Sequence, residues 1–487
     1  MLLLGRVWTF DPARPEAGAV ALVGDRIREV GSAEDLRARY PNERRVAADW
    51  ITPGLHESHA HPLQWGLALG RLDLRGATDP REVARRVAEE AERHPPGRWI
   101  QGGGYVFSAY PKAEELDAAA PGNPVFLESR DLHSAWVNTR ALELAGIGRD
   151  TPDPEGGRIL RDEGGRPTGY LLERAVRLVR RALPRPTRDD LLRGFQDLAN
   201  RGFVAVHAMG ETPDADVWVR ELAASGKLPL RVAWTLPAEQ YASDTPEKQG
   251  EYLHVFGVKF FADGALTSRT AWMQRPYPEG GYGLPLDDPR AADGTVRSVL
   301  KRGFAPVWHA IGSRAVCELL NLVERLESRG VPIRRRLRIE HVQHVEDRDL
   351  PRLAGLTLSV QPQHARDDRA ALARLGRDRL REAYRWGSFA RLNGARLLLG
   401  SDAPVALPDP AEAFALALRH PLDPAQGLAV RAALQAYTHA PAAYLGWHRE
   451  DAPWGVVQPG ARAALTLWER GRPVARVWRG ELEPVAS

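Results

Sequence analysis

The 487-residue sequence predicts an α/β fold centred on a TIM-like (β/α)8 barrel. Three observations carry this prediction. Eight short apolar runs alternate with helical stretches, as parallel strands and their crossover helices do. Histidine and aspartate stand at the C-terminal ends of several runs, the face on which barrels place their chemistry. The two ends of the chain are instead rich in short strands and turns, which predicts a small β domain made by both termini.

Residues 1–52 form the N-terminal part of that β domain, with strands over Leu2 to Phe10, Ala19 to Val23 and Arg26 to Val30 and a turn at Gly24-Asp25. The barrel is placed at 53–445. Its runs are Trp50 to His61, Phe203 to Met209, Leu230 to Leu236, Val255 to Ala262, Pro306 to Ala310, Leu337 to Val342, Leu356 to Gln361 and Arg396 to Ser401, with helices such as Ser313 to Arg329 between them. From Gln64 to Phe195 the chain is too long for one crossover and holds Trp99, Tyr105, Trp136 and Pro-Gly turns. A lid-like subdomain, over about 65–195, is therefore expected after the first barrel strand. Residues 446–487 return to strands, Gly455 to Trp468 and Val474 to Trp478, and complete the β domain.

Hydrophobic residues at 43% and charged residues at 27% exclude a disordered or fibrous chain. The 67 basic and 63 acidic residues are interspersed and leave only +4, so no nucleic-acid partner is expected, and Arg334-Arg335-Arg336 reads as a solvated face. No apolar stretch reaches the roughly 18 residues of a membrane span, and Met1 to Arg6 lacks the pattern of a signal peptide. The expectation is a cytoplasmic protein with a small-molecule substrate and no membrane partner, a homo-oligomer being left open. A single cysteine, Cys317, excludes a disulfide framework and a cysteine-rich zinc finger, so any metal falls to His, Asp, Glu or Lys.

The strongest local signal is Thr52-Pro53-Gly54-Leu55-His56-Glu57-Ser58-His59-Ala60-His61. Residues two apart on a strand share a face, so His59 and His61 can grip one ion. Val307-Trp308-His309, Ile339-Glu340-His341 and Leu399-Gly400-Ser401-Asp402 end later runs and add candidates on the same side of the barrel. Lys259 is one of only five lysines in a chain that otherwise uses arginine, and it lies inside an apolar strand. Only a desolvated amine can lose its proton and react, here with carbon dioxide, to give a carboxylated lysine able to bridge two divalent ions. The competing reading is a lysine that reaches solvent or pairs with Asp263.

These motifs resemble the amidohydrolase superfamily, in the branch of metal-dependent hydrolases that includes N-substituted formamide deformylases. The resemblance spans nearly the whole chain. It continues through Asp131-Leu132-His133-Ser134-Ala135-Trp136-Val137-Asn138, Ala141 to Ile147, Lys259 with Asp263-Gly264-Ala265, His309-Ala310-Ile311-Gly312, Gln361-Pro362-Gln363-His364 and Gly400 to Pro404. It implies a metal-centred barrel beside a small β-sandwich built from both termini. It implies His59, His61, Lys259, His309 and His341 as metal ligands and Asp402 as the catalytic acid/base, with a ligand role for Asp402 left open. Arg130 and His133 in the insertion and His364 after the seventh run are the candidate substrate contacts. Two departures stand out: Ser313 and Ala464 replace aspartates common in the family. Ser313 is expected to cap the helix it begins.

The function expected is hydrolysis of non-peptide carbon–nitrogen bonds in N-acyl or N-formyl amines, with one or two divalent ions, zinc first among them. The same site also serves ester or cyclic amide hydrolysis, isomerisation or decarboxylation. A non-catalytic regulatory protein is the reading from a different class.

Overall fold

A computed structural model describes every residue except 130–133, 267, 279, 370, 371, 373, 374 and 487. The chain divides into two compact units, Met1–Trp65 with Leu191–Ser487, and Gly66–Asp190.

In the larger unit the apolar runs form eight strands: Leu55–Ala60, Phe203–Ala208, Arg231–Pro237, Leu253–Phe261, Ala305–Ala310, Arg338–His341, Thr357–Val360 and Arg396–Leu399. Each pairs parallel with the next in chain order. A parallel bridge between Ala60 and Ala403 returns the last strand to the first, and the Asp402 amide donates to the His59 carbonyl at 2.7 Å. The result is a nearly closed barrel. Its strands are aliphatic and β-branched because both faces are covered; every residue of Leu55–Ala60 and Phe203–Ala208 is buried.

The run from Trp50 to His61 is not one strand. It breaks at Gly54, before which Arg45–Pro53 belongs to a different sheet. A side chain at Gly54 would place its Cβ 2.3 Å from Cγ2 of Val204, so only glycine lets the chain pass this close to the second barrel strand. Arg45–Pro53 sits at the centre of a seven-stranded sheet between Leu2–Trp8, which it meets in parallel, and Leu465–Glu469, which it meets antiparallel. Glu16–Val23 and Arg26–Gly31 extend one side, Arg472–Trp478 and Glu481–Pro484 the other. Leu3, Val7, Val20, Ile27, Ile51, Leu465 and Val477 form its core.

The smaller unit carries a six-stranded mixed sheet in the order Gly157–Arg161, Pro167–Glu173, Ser134–Val137, Val125–Ser129, Ile100–Tyr105 and Leu72–Asp73. Leu116, Leu127, Trp136 and Tyr170 are among the buried residues of its core.

Candidate metal centre

The candidate side chains leave the barrel from its strand ends. The first strand runs out through His59 and His61, and the turn after the eighth carries Asp402. Nε2 of His59 and Nε2 of His61 approach the same Asp402 oxygen, Oδ1, at 3.2 and 3.4 Å, and His364 Nε2 lies 3.8 Å from Oδ2. The His341 ring stands 4.9 Å from that of His59 and 4.4 Å from that of His309, centroid to centroid.

Local backbone explains this convergence. Asp402 and His341 both have left-handed φ, 62° and 69°. Alternation along an ordinary strand would send Glu340 and His341 to opposite faces, but the left-handed turn at His341 lets both reach His59. Glu340 Oε2 is 2.6 Å from His59 Nδ1. Aspartate and histidine tolerate this conformation better than bulkier residues, and the strain it stores is typical of functional sites.

Each of three imidazoles has one nitrogen committed to an acceptor. His59 Nδ1–H donates to Glu340, His341 Nδ1–H to Gln361 Oε1 at 2.8 Å, and His309 Nε2–H to the Gly264 carbonyl at 3.1 Å. Those donations leave lone pairs on Nε2 of His59, Nε2 of His341 and Nδ1 of His309. Burial holds His309 down to about 3 and His341 well below the usual histidine range, so both are neutral, the ligating form. Burial by itself would raise Asp402, but the neighbouring His59, His61 and His341 rings hold its carboxylate well below the ordinary range.

Lys259 is 1% exposed, and its Nζ has no hydrogen-bond partner among the described residues. Burial pulls the amine down to about 8, with Glu340 and Asp402 opposing the shift. It neither reaches solvent nor pairs with Asp263. That carboxylate is occupied by the backbone amides of Trp272, Ile311 and Gly312 at 2.8, 3.0 and 2.7 Å.

Arg130 and His133 lie outside the described residues. His207 accepts from Arg338 Nη1 at 2.8 Å, and His56 is buried against the His207 and Trp447 rings. Ser313 is not the helix cap: the helix spans Ser313–Glu327 with Gly312 at the cap position, and the Ser313 hydroxyl accepts from the Gln274 amide at 3.0 Å. Asp263, just beyond the fourth strand, takes the amides of Ile311 and Gly312 before that helix, and the Arg314 and Ala315 amides within it donate to the Trp272 carbonyl.

A model of the amidohydrolase family matches residues 50–477. The chain belongs to the amidohydrolase family. Among its relatives, the Arabidopsis thaliana protein LONG AFTER FAR-RED 3 is 32% identical over 506 residues, covering 95% of this chain and 86% of that one. N-substituted formamide deformylase of Arthrobacter pascens is 28% identical, covering 96% and 93%. The crystal structure of an uncharacterized metal-dependent hydrolase from Pyrococcus furiosus superposes with a TM-score of 0.79 at 25% identity, covering 96% and 98%.

The donor set of this amidohydrolase suits the metal that such a barrel carries. Ligand atoms of His59, His341 and Asp402 lie within 4.8 Å of one another. Nitrogen and oxygen ligands at about 2.0–2.2 Å from a tetrahedral ion are separated by roughly 3–3.5 Å. The His59–Asp402 and His61–Asp402 spacings match that separation, and the Lys259 amine is a buried polar atom without a hydrogen-bond partner among the described residues.

Three residues of the centre escaped the sequence reading in this role: Arg338, Glu340 and Gln361. For the first two there was a signal, since Arg338 and Glu340 are opposite charges two apart in an otherwise apolar run. Gln361 carried none.

Proposed function

We propose that the chain hydrolyses non-peptide carbon–nitrogen bonds of N-acyl or N-formyl amines. The observation that carries this reading is the approach of His59 and His61 to one oxygen of an ionised, buried Asp402, beside a desolvated lysine without a hydrogen-bond partner among the described residues. It is supported by the 28% identity to an N-substituted formamide deformylase.

His59, His61, Lys259, His309 and His341 would hold one or two divalent ions, with zinc the first candidate. Such an ion supplies water acidified towards neutral pH and an electrophilic pull on the substrate carbonyl. Lys259 joins the set as a carbamate: its neutral amine attacks carbon dioxide, loses a proton and becomes a two-oxygen anion. Asp402 is the acid/base. It takes the proton of the attacking water and returns it to the nitrogen as the carbon–nitrogen bond breaks, because an unprotonated amine anion does not leave. His364, at the same carboxylate, contacts the substrate.

The test is Asp402→Asn. The variant should fold and load metal like the wild type, yet lose at least about 100-fold in kcat on whichever member of a panel of N-substituted formamides and N-acyl amino acids the wild type turns over. Turnover within threefold of wild type would sink the assignment.

A further inference from the structure

Beneath the ligands lies a fully buried charged layer. Arg338 and Glu340 are each 0% exposed, and their side chains form an ion pair, Nε to Oε1, at 2.5 Å. Arg338 does not serve Glu340 alone. Its Nη1 donates to His207 Nδ1 at 2.8 Å, and its Nη2 donates to Ser359 Oγ at 3.1 Å, to Glu340 Oε2 at 3.2 Å and to the Ser58 carbonyl. One guanidinium on the sixth strand thus fastens the first, second and seventh. Glu340 in turn places Oε2 at 2.6 Å from His59 Nδ1, while the other ring nitrogen of His59 faces Asp402.

A buried ion pair is a poor device for stability, because desolvating both charges offsets most of their attraction. Its position, one atom behind a ligand, gives it a different use. A carboxylate that accepts from one imidazole nitrogen fixes the tautomer and the ring plane, and it raises the basicity of the other nitrogen. His59 lies at the C-terminal end of the first strand, packed against the His61 and His341 rings, and the bond to Glu340 fixes which of its nitrogens faces Asp402.

We infer that Glu340 is the positioning residue of His59, and that Arg338 holds Glu340 in place. This rests on the reading of His59 as a metal ligand. The pair acts before any substrate binds, and its effect is on the metal affinity of the resting protein.

The experiment compares Zn2+ binding, by competition with a chromogenic chelator, in wild type, Glu340→Gln, the double variant Arg338→Met/Glu340→Gln, and His59→Ala. Visible spectra of the cobalt-loaded proteins give a second readout. The double variant is included because Glu340→Gln alone leaves Arg338 buried without its partner charge. Both Glu340 variants should retain the wild-type circular dichroism, bind Zn2+ about 10–100-fold more weakly, and give altered cobalt absorption. A folded variant with wild-type affinity and an unchanged spectrum would overturn the inference. So would unfolding of both variants, which would make the pair an element of folding instead. Loss of affinity in His59→Ala with none in the Glu340 variants would refute only this inference. If His59→Ala also leaves binding unchanged, the ligand reading beneath it fails.

Discussion

At the scale of single residues, Lys259 shows how far composition can reach. In an arginine-rich chain, a lysine inside an apolar strand marked itself as a candidate for amine chemistry, and the structure finds that amine buried and without a hydrogen-bond partner among the described residues. What the sequence could not show is the environment of the charge: burial lowers the amine to about 8, while Glu340 and Asp402 pull the other way. An ordinary lysine stays protonated to about 10.5, so only a small fraction is neutral at pH 8. Lys259 passes through half-neutral there, and the reactive form grows as pH rises. Metal-free protein equilibrated with 13C-bicarbonate should therefore show a carbamate carbon signal, stronger at pH 9 than at pH 7 and missing in Lys259→Arg. A signal that survives the substitution, or none at either pH, would leave Lys259 as a plain buried amine. Glu340 teaches the opposite lesson. Its charge was visible in the run Leu337 to Val342, but its use depends on His59, which the first strand brings to it from 281 positions away.

At the scale of elements, strand runs were legible because a parallel strand covered on both faces must be apolar almost throughout. All eight runs named from the sequence overlap a barrel strand. Boundaries were less so. The break at Gly54 follows from the approach of Val204, a contact 150 residues away that leaves no trace beside the glycine. The start of the helix Ser313–Glu327 was misread for a similar reason. A serine at a helix start suggests a cap, yet the amides of Arg314 and Ala315 in the first turn donate to the Trp272 carbonyl, while Asp263 takes the amides of Ile311 and Gly312 just before the helix. Asp263 accepts three buried backbone donors at once, although burial pushes its carboxyl up to about 7. Leaving a buried donor unpaired costs roughly 1–3 kcal/mol. Asp263→Ala should therefore lower the thermal midpoint by several degrees, and Asp263→Asn, which keeps one acceptor oxygen, by less. Equal midpoints for wild type and Asp263→Ala would show that the three amides find other partners.

At the scale of the whole molecule, the sheet order puts the first and eighth strands side by side, and this closure makes the centre. Asp402 donates its amide to the His59 carbonyl, and Glu57 accepts from the amides of His59 and Ser401 at 3.0 and 2.8 Å. The seam of the barrel and the meeting of His59, His61 and Asp402 are the same contact. Residues more than 340 positions apart in sequence thereby face one another, a pairing that motif order suggested but strand patterning alone could not. The account turns on a divalent ion being held at this seam. Metal analysis of protein expressed with zinc supplied, for wild type and for the double variant His59→Ala/His341→Ala, tests it most directly. The account predicts one or two ions per wild-type chain and loss of at least one in the folded variant. Equal metal content in the two proteins, or none in either, would contradict it.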